Sequence, residues 1–212
     1  MNYILSALIG IIIGSFPTAY VILKKLKNID ITQKGTGNVG AMNSYDITKS
    51  KLIGLLIFII DLMKGFLSVY LAKFLFEDEF SIMMVALIGA VLSHCFSFWI
   101  KFKGGRGLAT AAGGALILSI PILGIWILLW LISYAFRRNI HFGNFSATLL
   151  TGALSFSSSE IMNKYTNPPA ASNLEFSILV SIMLLIILIK HIKPIKEYFL
   201  QQNLKSRKDE NE

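Results

Sequence analysis

Long stretches of uncharged apolar residues constrain this chain more than any other feature of its sequence. A helix needs about 20 apolar residues to cross the roughly 30 Å hydrocarbon core of a bilayer, and several blocks approach that length. Of the 212 residues, 54% are apolar and 15% are charged, whereas a soluble domain usually has about 25% charged residues. The pattern predicts an all-α, polytopic integral membrane protein with one membrane-embedded domain over residues 1–200 and a mobile cytoplasmic tail, 201–212.

The apolar blocks predict about seven membrane spans. Pro121 divides one long block, because a helix rarely continues unbroken into a proline. A five-span topology, which treats Leu108–Phe136 as one crossing, is the alternative. The seven predicted spans are Tyr3–Leu23, Leu52–Phe76, Phe80–Ile100, Leu108–Ile120, Pro121–Phe136, Asn144–Met162 and Leu174–Ile189.

Positive charge is concentrated in connectors that seven spans place on one side. These connectors and the C-terminal segment hold 17 of the 20 Lys and Arg residues, and Lys and Arg accumulate in cytoplasmic loops. The acidic connector "FEDEF", 76–80, falls on the other side. The distribution predicts an outside N-terminus and a cytoplasmic C-terminus, whereas five spans would put Arg137 and Arg138 outside. The net charge of +8 then reflects topology, and no nucleic-acid partner is predicted.

The segment "KFKGGRGLAT", 101–110, places three glycines and three cations within seven positions. Glycines let backbone approach a ligand closely, and a helix N-terminus offers unpaired N–H groups with a partial positive charge. This combination suits a phosphate group. A tight turn followed by small-residue helix packing is the alternative and stays open. The residues assigned to phosphate binding are Lys103, Gly104, Gly105, Arg106 and Gly107.

A second glycine cluster, "KGTGNVGAMN", occupies residues 34–43 of the first cytoplasmic loop. It matches the spacing G-x-G-x-x-G, but no strand precedes it, so a dinucleotide site is rejected. The loop is longer than an ordinary connector between helices, and we interpret it as a second ligand-binding loop. A flexible connector is the alternative. The candidate residues are Gly35, Thr36, Gly37, Asn38, Gly40 and Asn43.

Two charged residues fall near the middle of the second predicted span. Asp61 and Lys64 are spaced i,i+3, so they share a helix face and can pair, and an unpaired charge at that depth costs about 2.5–3.5 kcal/mol. A structural ion pair that orients the glycine loops from behind is one interpretation, and a direct catalytic role is the other. His94 and His191, at the cytoplasmic ends of two spans, are either interfacial polar residues or groups that bind phosphate or move a proton.

The order of these motifs resembles that of the bacterial acyl-phosphate-dependent glycerol-3-phosphate acyltransferases. The resemblance covers the first half of the chain, and its last stretch is the most specific. It implies seven spans, a cytoplasmic active site and location in the bacterial plasma (inner) membrane. The matching stretches are "GSFPTAY" (14–20), "GTGNVGAMN" (35–43), "DLMKG" (61–65) and "HCFSFWIKFKGGRGLAT" (94–110).

The resemblance implies transfer of an acyl group from acyl phosphate to the sn-1 hydroxyl of glycerol 3-phosphate, which gives lysophosphatidic acid and phosphate. By motif position, Thr36 stands where the family has a serine near the reacting centre, and His191 begins the third motif, so both are assigned as catalytic. Arg106 replaces a usual lysine. Neither a metal nor an organic cofactor is expected.

The chain also departs from the family's pattern. An acidic residue replaces an arginine in the first loop, the third motif is altered, and "RRNIHFGNFSA", 137–147, differs from the usual R-Y-V-S-L-like stretch. Two alternatives follow: a non-catalytic or altered-acceptor paralogue, and an organic-anion transporter with Asp61 and Lys64 at a midplane site. The individual replacements are Asp46 and Glu197 for arginine, Pro194 for asparagine and Asn203 for glutamate.

Overall fold

The computed structural model describes residues 1–76 and 78–209, and within them the chain is helical with no named β-strand. The predicted all-α class is therefore confirmed for the described chain. Glu77, part of the acidic connector, and residues 210–212 lie outside the described residues. The helices are α1 (Asn2–Ser15), α2 (Thr18–Lys27), α3 (Ala41–Thr48), α4 (Lys51–Leu75), α5 (Phe80–Cys95), α6 (Leu108–Leu118), α7 (Ile120–Arg137), α8 (Ile140–Ser157), α9 (Ser159–Lys164) and α10 (Asn173–Asp209).

Four helical segments are long and apolar enough to cross a bilayer. These are Asn2–Lys27, Lys51–Leu75, Ile120–Arg137 and Asn173–Leu204, whereas α5 and α6 are apolar but shorter. The structure thus supports an integral membrane protein, and the count of seven crossings and the orientation of the termini stay predictions.

Proline residues and loop geometry divide several predicted spans. The first span is broken after Ser15, because Phe16 is extended and Pro17 precedes α2. The third span ends as a helix at Cys95, and the chain then makes a 3-10 turn over Phe98–Ile100. Pro121 lies in the first turn of α7, where a missing N–H costs nothing.

The last helix is much longer than the predicted span Leu174–Ile189. It runs for 37 residues with Pro194 inside it, so residues 201–209 of the expected tail are helical. Their mobility stays a prediction.

Glycines allow two pairs of helices to pack backbone against backbone, as in many membrane bundles. A Cβ atom on Gly10 of α1 would lie 1.9 Å from the Ala86 carbonyl oxygen of α5. A Cβ on Gly113 of α6 would lie 1.8 Å from the Leu62 carbonyl oxygen of α4, and Gly65 approaches Thr110 equally closely from the other side. The second pair holds the first turns of α6 against α4.

Helix α5 forms the centre of the molecule, since 13 of its 16 residues are buried. The loop between α9 and α10 contacts the C-terminal end of α6, where the Asn167 N–H donates to the Leu118 carbonyl at 2.8 Å. Helix α6 therefore runs from the glycine-rich loop at its N-terminus to this loop at its C-terminus.

Candidate functional site

The glycine-rich loop Lys101–Gly107 folds back on the end of α5. The Gly105 N–H donates to the His94 carbonyl at 3.1 Å, and the Ser97 N–H donates to the Lys103 carbonyl at 3.0 Å. A Cβ atom on Gly105 would lie 2.0 Å from His94 Nε2. Glycine is therefore required at this position by the close approach of the His94 ring.

The same loop ends at the N-terminus of α6. Gly107 precedes the helix in the left-handed region, with φ of +84°, and no side chain caps the helix. The N–H groups of the first turn of an 11-residue helix are thus not consumed by a capping side chain. Such a helix start favours an anion through its unpaired donors and its dipole.

A single buried asparagine organises the first loop. Asn43 Oδ1 accepts from the Thr36 N–H at 3.0 Å, and Asn43 Nδ2 donates to the carbonyls of Lys34 and Asn38 at 3.2 and 2.9 Å. Asn43 is only 2% exposed. Its amide therefore shapes residues 34–38, and within that loop Thr36 is exposed and Asn38 is half-buried.

The structure brings the two glycine clusters together. The Val39 N–H donates to the Gly104 carbonyl at 3.2 Å, so the loops share a backbone hydrogen bond although they are more than 60 residues apart in the chain. Gly35 and Gly37 have positive φ, and Gly40 precedes α3. The predicted ligand-binding loops therefore form one continuous surface.

Arg106 contacts a histidine that the motif analysis did not single out. Arg106 Nη1 lies 3.2 Å from His141 Nδ1, at the start of α8. Because a guanidinium only donates, Nδ1 of His141 must accept, which leaves its proton on Nε2. Burial lowers the pKa of Arg106 below its ordinary value, and the carboxylate of Glu197 opposes this shift.

His141 could not have been found from the family motif, because it lies inside "RRNIHFGNFSA", which departs from that motif. The nearby Lys190 was likewise counted only as a cytoplasmic charge. Its Nζ donates to the Cys95 carbonyl at 2.9 Å and lies 4.6 Å from the centre of the Phe96 ring. His141 and Lys190 both lie near Arg106.

His191 is fully buried and has the opposite tautomer to His141. Its Nδ1 lies 2.8 Å from the Ile187 carbonyl, which can only accept, so Nδ1 carries the proton and Nε2 has a free lone pair. Within the described residues His191 Nε2 has no hydrogen-bond partner, although buried polar atoms are nearly always paired. Arg106 and His141 both act on His191 electrostatically.

Asp61 and Lys64 form a buried ion pair behind the glycine loop. Lys64 Nζ donates to Asp61 Oδ1 at 2.7 Å and to the Phe16 carbonyl at 2.6 Å. Asp61 Oδ1 also lies 3.8 Å from Nδ1 of His94, whose carbonyl holds Gly105. The pair thus connects the break between α1 and α2 with the glycine-rich loop.

The remaining predicted residues lie at the margin of this arrangement. Lys103 is exposed, and so is Asp46 on α3. Glu197 is exposed and lies 3.8 Å from Lys193, and Pro194 is buried inside α10. Among the described residues, no group of three or more His, Cys, Asp and Glu side chains could hold a metal ion.

An apolar cavity of about 400 Å³ opens beside the first turns of α6. Its walls come from α4, α6, α7, α8 and α10, with Ala109 and Ala112 on one side and Trp126 and Trp130 on another. Small residues on α6 leave room in the cavity next to the uncapped helix start. An anionic group and an apolar chain of the same ligand could therefore bind side by side.

Comparisons with known proteins point to one family. The family model described as "Glycerol-3-phosphate acyltransferase" matches residues 4–201. A glycerol-3-phosphate acyltransferase of Wolbachia pipientis wMel is 34% identical over 149 residues, 70% of this chain and 77% of the relative. That of Thermotoga petrophila is 33% identical over 156 residues, 74% and 79% of the two chains. The enzyme of Wolbachia sp. subsp. Brugia malayi is 41% identical, and the match spans 65% of its length.

A solved structure has the same fold. It is PlsY (YgiH), an integral membrane glycerol 3-phosphate acyltransferase, in its glycerol 3-phosphate form. It superposes with a TM-score of 0.77 and 25% identity, over 95% of this chain and 94% of that protein. With the family model matching nearly the whole chain, the chain belongs to the glycerol-3-phosphate acyltransferase family.

Proposed function

We propose that this protein transfers an acyl group from acyl phosphate to the sn-1 hydroxyl of glycerol 3-phosphate and releases lysophosphatidic acid and phosphate. Family membership supports the reaction class. PlsY, the structural relative, is known in a glycerol 3-phosphate form and a lysophosphatidic acid form. The reaction would be a step of phospholipid synthesis in the bacterial plasma membrane.

The observation that carries this proposal is the set of groups around the start of α6. The helix lacks a side-chain cap, Arg106 lies beside it, and His191 presents a buried Nε2 with no partner in the described chain. Backbone N–H groups, a guanidinium and the His141 Nε2–H all donate, which suits a phosphate. An unprotonated His191 Nε2 suits a hydroxyl that must lose its proton.

The donor binds with its phosphate on the loop Gly104–Gly107 and its acyl chain in the apolar cavity. The cavity begins at Leu108 and Ala109, so the acyl carbonyl lies where the two environments meet. Arg106 and His141 stabilise the negative charge that grows on the departing phosphate. Catalysis comes mainly from positioning and from stabilising this charge.

The acceptor binds against the first loop, with Thr36 and Asn38 as hydrogen-bonding groups and Asn43 positioning them. The sn-1 oxygen forms a bond to the acyl carbonyl carbon, and the bond from that carbon to the phosphate oxygen breaks. His191 Nε2 takes the hydroxyl proton, and that proton leaves with the released phosphate. Asp46 and Glu197, which stand where the family has arginines, make this side less cationic, and Lys190 partly offsets them.

The site faces the cytoplasm in the proposed orientation. Seven crossings, an outside N-terminus and a cytoplasmic C-terminus place 17 of the 20 Lys and Arg residues on one side, as the positive-inside rule requires. Both glycine loops lie on that side, where soluble glycerol 3-phosphate is available.

The test is an assay of the purified protein with acyl phosphate, with and without glycerol 3-phosphate. Released phosphate and acylated product are measured separately. We expect both, in equal amounts, only when the acceptor is present. Arg106→Lys should retain most of the activity, because a point charge still meets the phosphate, whereas Arg106→Glu should lose roughly 10²-fold or more.

Two results would contradict the proposal. Phosphate release without acylated glycerol 3-phosphate would indicate another acceptor, in line with the replacements at Asp46 and Pro194. Full activity in a well-folded Arg106→Glu protein would remove the loop from the active site.

A further inference from the structure

A second cavity, lined by polar residues, lies at the turn between α7 and α8, outside the proposed active site. Its volume is about 250 Å³, and it shares no lining residue with the glycine loops or the apolar cavity. One wall is the end of α7 and the turn after it, and the other is the extended part of α10. The lining residues are Arg137, Arg138, Asn139, Tyr198, Gln201 and Gln202.

The lining is cationic, and among the residues whose side chains the structure describes no carboxylate contributes to it. Arg137 lies over the Phe142 and Phe136 rings, each 5.8 Å from its guanidinium. Arg138 ends α7 in the left-handed region with φ of +51°. Among the described residues neither arginine has an ion-pair partner. Two unpaired arginines in one cavity favour a ligand that carries a phosphate.

Amide and hydroxyl groups complete the cavity. Asn139 Oδ1 accepts from the N–H groups of His141 and Phe142, so its Nδ2 remains a donor. Gln202 Nε2 donates to the Tyr198 hydroxyl at 3.1 Å. These contacts fix the positions of the groups around the two arginines.

An exposed apolar surface runs directly away from this cavity along α7. Leu128, Ile132 and Phe136 follow one another at i,i+4 spacing, and Phe136 is 80% exposed. Only 6% of the apolar stretch of α7 is buried in the molecule. This surface therefore contacts lipid if α7 crosses the bilayer. A phosphate in the cavity and an acyl chain along α7 could belong to one molecule.

We propose that this cavity binds the headgroup of an anionic phospholipid from the surrounding membrane, with its acyl chain along α7. Basic pockets between helices at the cytoplasmic face bind such headgroups in other membrane proteins. The lipid binds at the end of α8 that carries His141. Through this site the enzyme therefore contacts a negatively charged lipid of its own membrane.

The test uses the purified full-length protein in phosphatidylcholine, with phosphatidylglycerol or inorganic phosphate added. The readouts are the thermal unfolding midpoint and retained lipid by native mass spectrometry. Phosphatidylglycerol should raise the midpoint and stay bound to the wild type. The double variant Arg137→Gln with Arg138→Gln should bind it at least tenfold more weakly.

Lys193→Gln with Lys196→Gln is the matched control, because it removes two exposed cations of α10 that do not line the cavity. It should behave as the wild type does. If the glutamine variant unfolds in phosphatidylcholine alone, Arg137→Lys with Arg138→Lys tests the site instead, because it keeps both charges. It should bind phosphatidylglycerol more weakly than the wild type and more tightly than the glutamine variant.

Several outcomes would overturn the proposal. One is undiminished phosphatidylglycerol binding in a folded arginine variant, and another is equal loss in the lysine control. If inorganic phosphate alone raised the midpoint as much as the lipid, the cavity would be a site for a free anion. None of these results depends on acyl transfer, so they leave the proposed reaction untouched.

Discussion

At the scale of single residues, the glycine-rich loop depends on the absence of a side chain at Gly105. The His94 ring occupies the space that a side chain at position 105 would need, and the His94 carbonyl holds the Gly105 N–H. The loop therefore rests directly on α5. A methyl group at this position must move either the loop or the histidine ring.

Gly105→Ala is expected to reduce acyl-phosphate affinity by at least tenfold, because the loop backbone can no longer occupy its position. The cost in stability should be about 1–3 kcal/mol, as for other overpacked sites. Affinity and the thermal unfolding midpoint should be measured on the same samples.

Gly124→Ala is the control for this substitution. Nothing lies within 4 Å of a Cβ at that position in α7, so it should leave affinity unchanged and add up to about 1 kcal/mol of helix stability. Wild-type affinity in Gly105→Ala would show that the close contact with His94 does not position the loop.

Residue types and spacing predicted a phosphate site at the glycines and Arg106, because an anion requires donors and charge, and that assignment stays a prediction. They could not identify the partners of these groups. Asn43 was predicted as a ligand-binding residue, yet its amide makes three hydrogen bonds to the backbone of its own loop. His141 contacts Arg106 only because α8 begins beside the loop, and no local pattern encodes that proximity.

At the scale of helices, one ion pair links four of them. Asp61 and Lys64 lie on α4, the Phe16 carbonyl lies at the break between α1 and α2, and His94 lies on α5. Phe16 is extended where it precedes Pro17, so its carbonyl makes no helical hydrogen bond. It accepts instead from the Thr18 N–H and from Lys64 Nζ. The charges thus stabilise a kinked crossing that the continuous apolar pattern of the first span did not predict.

Asp61→Ala should destabilise the protein by about 3–5 kcal/mol, because it leaves the Lys64 ammonium buried with only the Phe16 carbonyl as a partner. The double variant Asp61→Ala with Lys64→Ala should recover much of that loss. Unfolding free energies of both single variants and the double variant, in the same detergent, give the coupling between the two residues.

A double variant that is less stable than either single variant would contradict simple pairing. Such a result would favour a direct role of one of these residues in the reaction.

The helix boundaries show where the apolar pattern was informative. It located the cores of α4, α5, α6 and α7, because uncharged runs have few other structures available in a membrane. It did not locate the end of α10, since residues 190–209 are rich in polar and charged side chains but continue the helix. A helix that lies outside the hydrocarbon region need not be apolar, so an apolar run in the sequence does not reveal where it ends.

At the scale of the whole molecule, the charge distribution predicts which loops face the cytoplasm. Single cysteines at positions 103, 137 and 205 should react with an impermeant reagent only after cells are opened, whereas a cysteine at 78 should react in intact cells. The native Cys95 is fully buried, and the labelling should be done in a Cys95→Ala background. Labelling at position 137 in intact cells would exclude the seven-span topology.

The burial of α5 also determines how the molecule fits a bilayer. A helix of 16 residues is about 24 Å long, shorter than the roughly 30 Å hydrocarbon core, and would impose hydrophobic mismatch on any lipid that touched it. Since 13 of its 16 residues are buried, lipid contacts the helices around α5 far more than α5 itself. Surrounded in this way, α5 can be short and still hold the glycine-rich loop without thinning the bilayer.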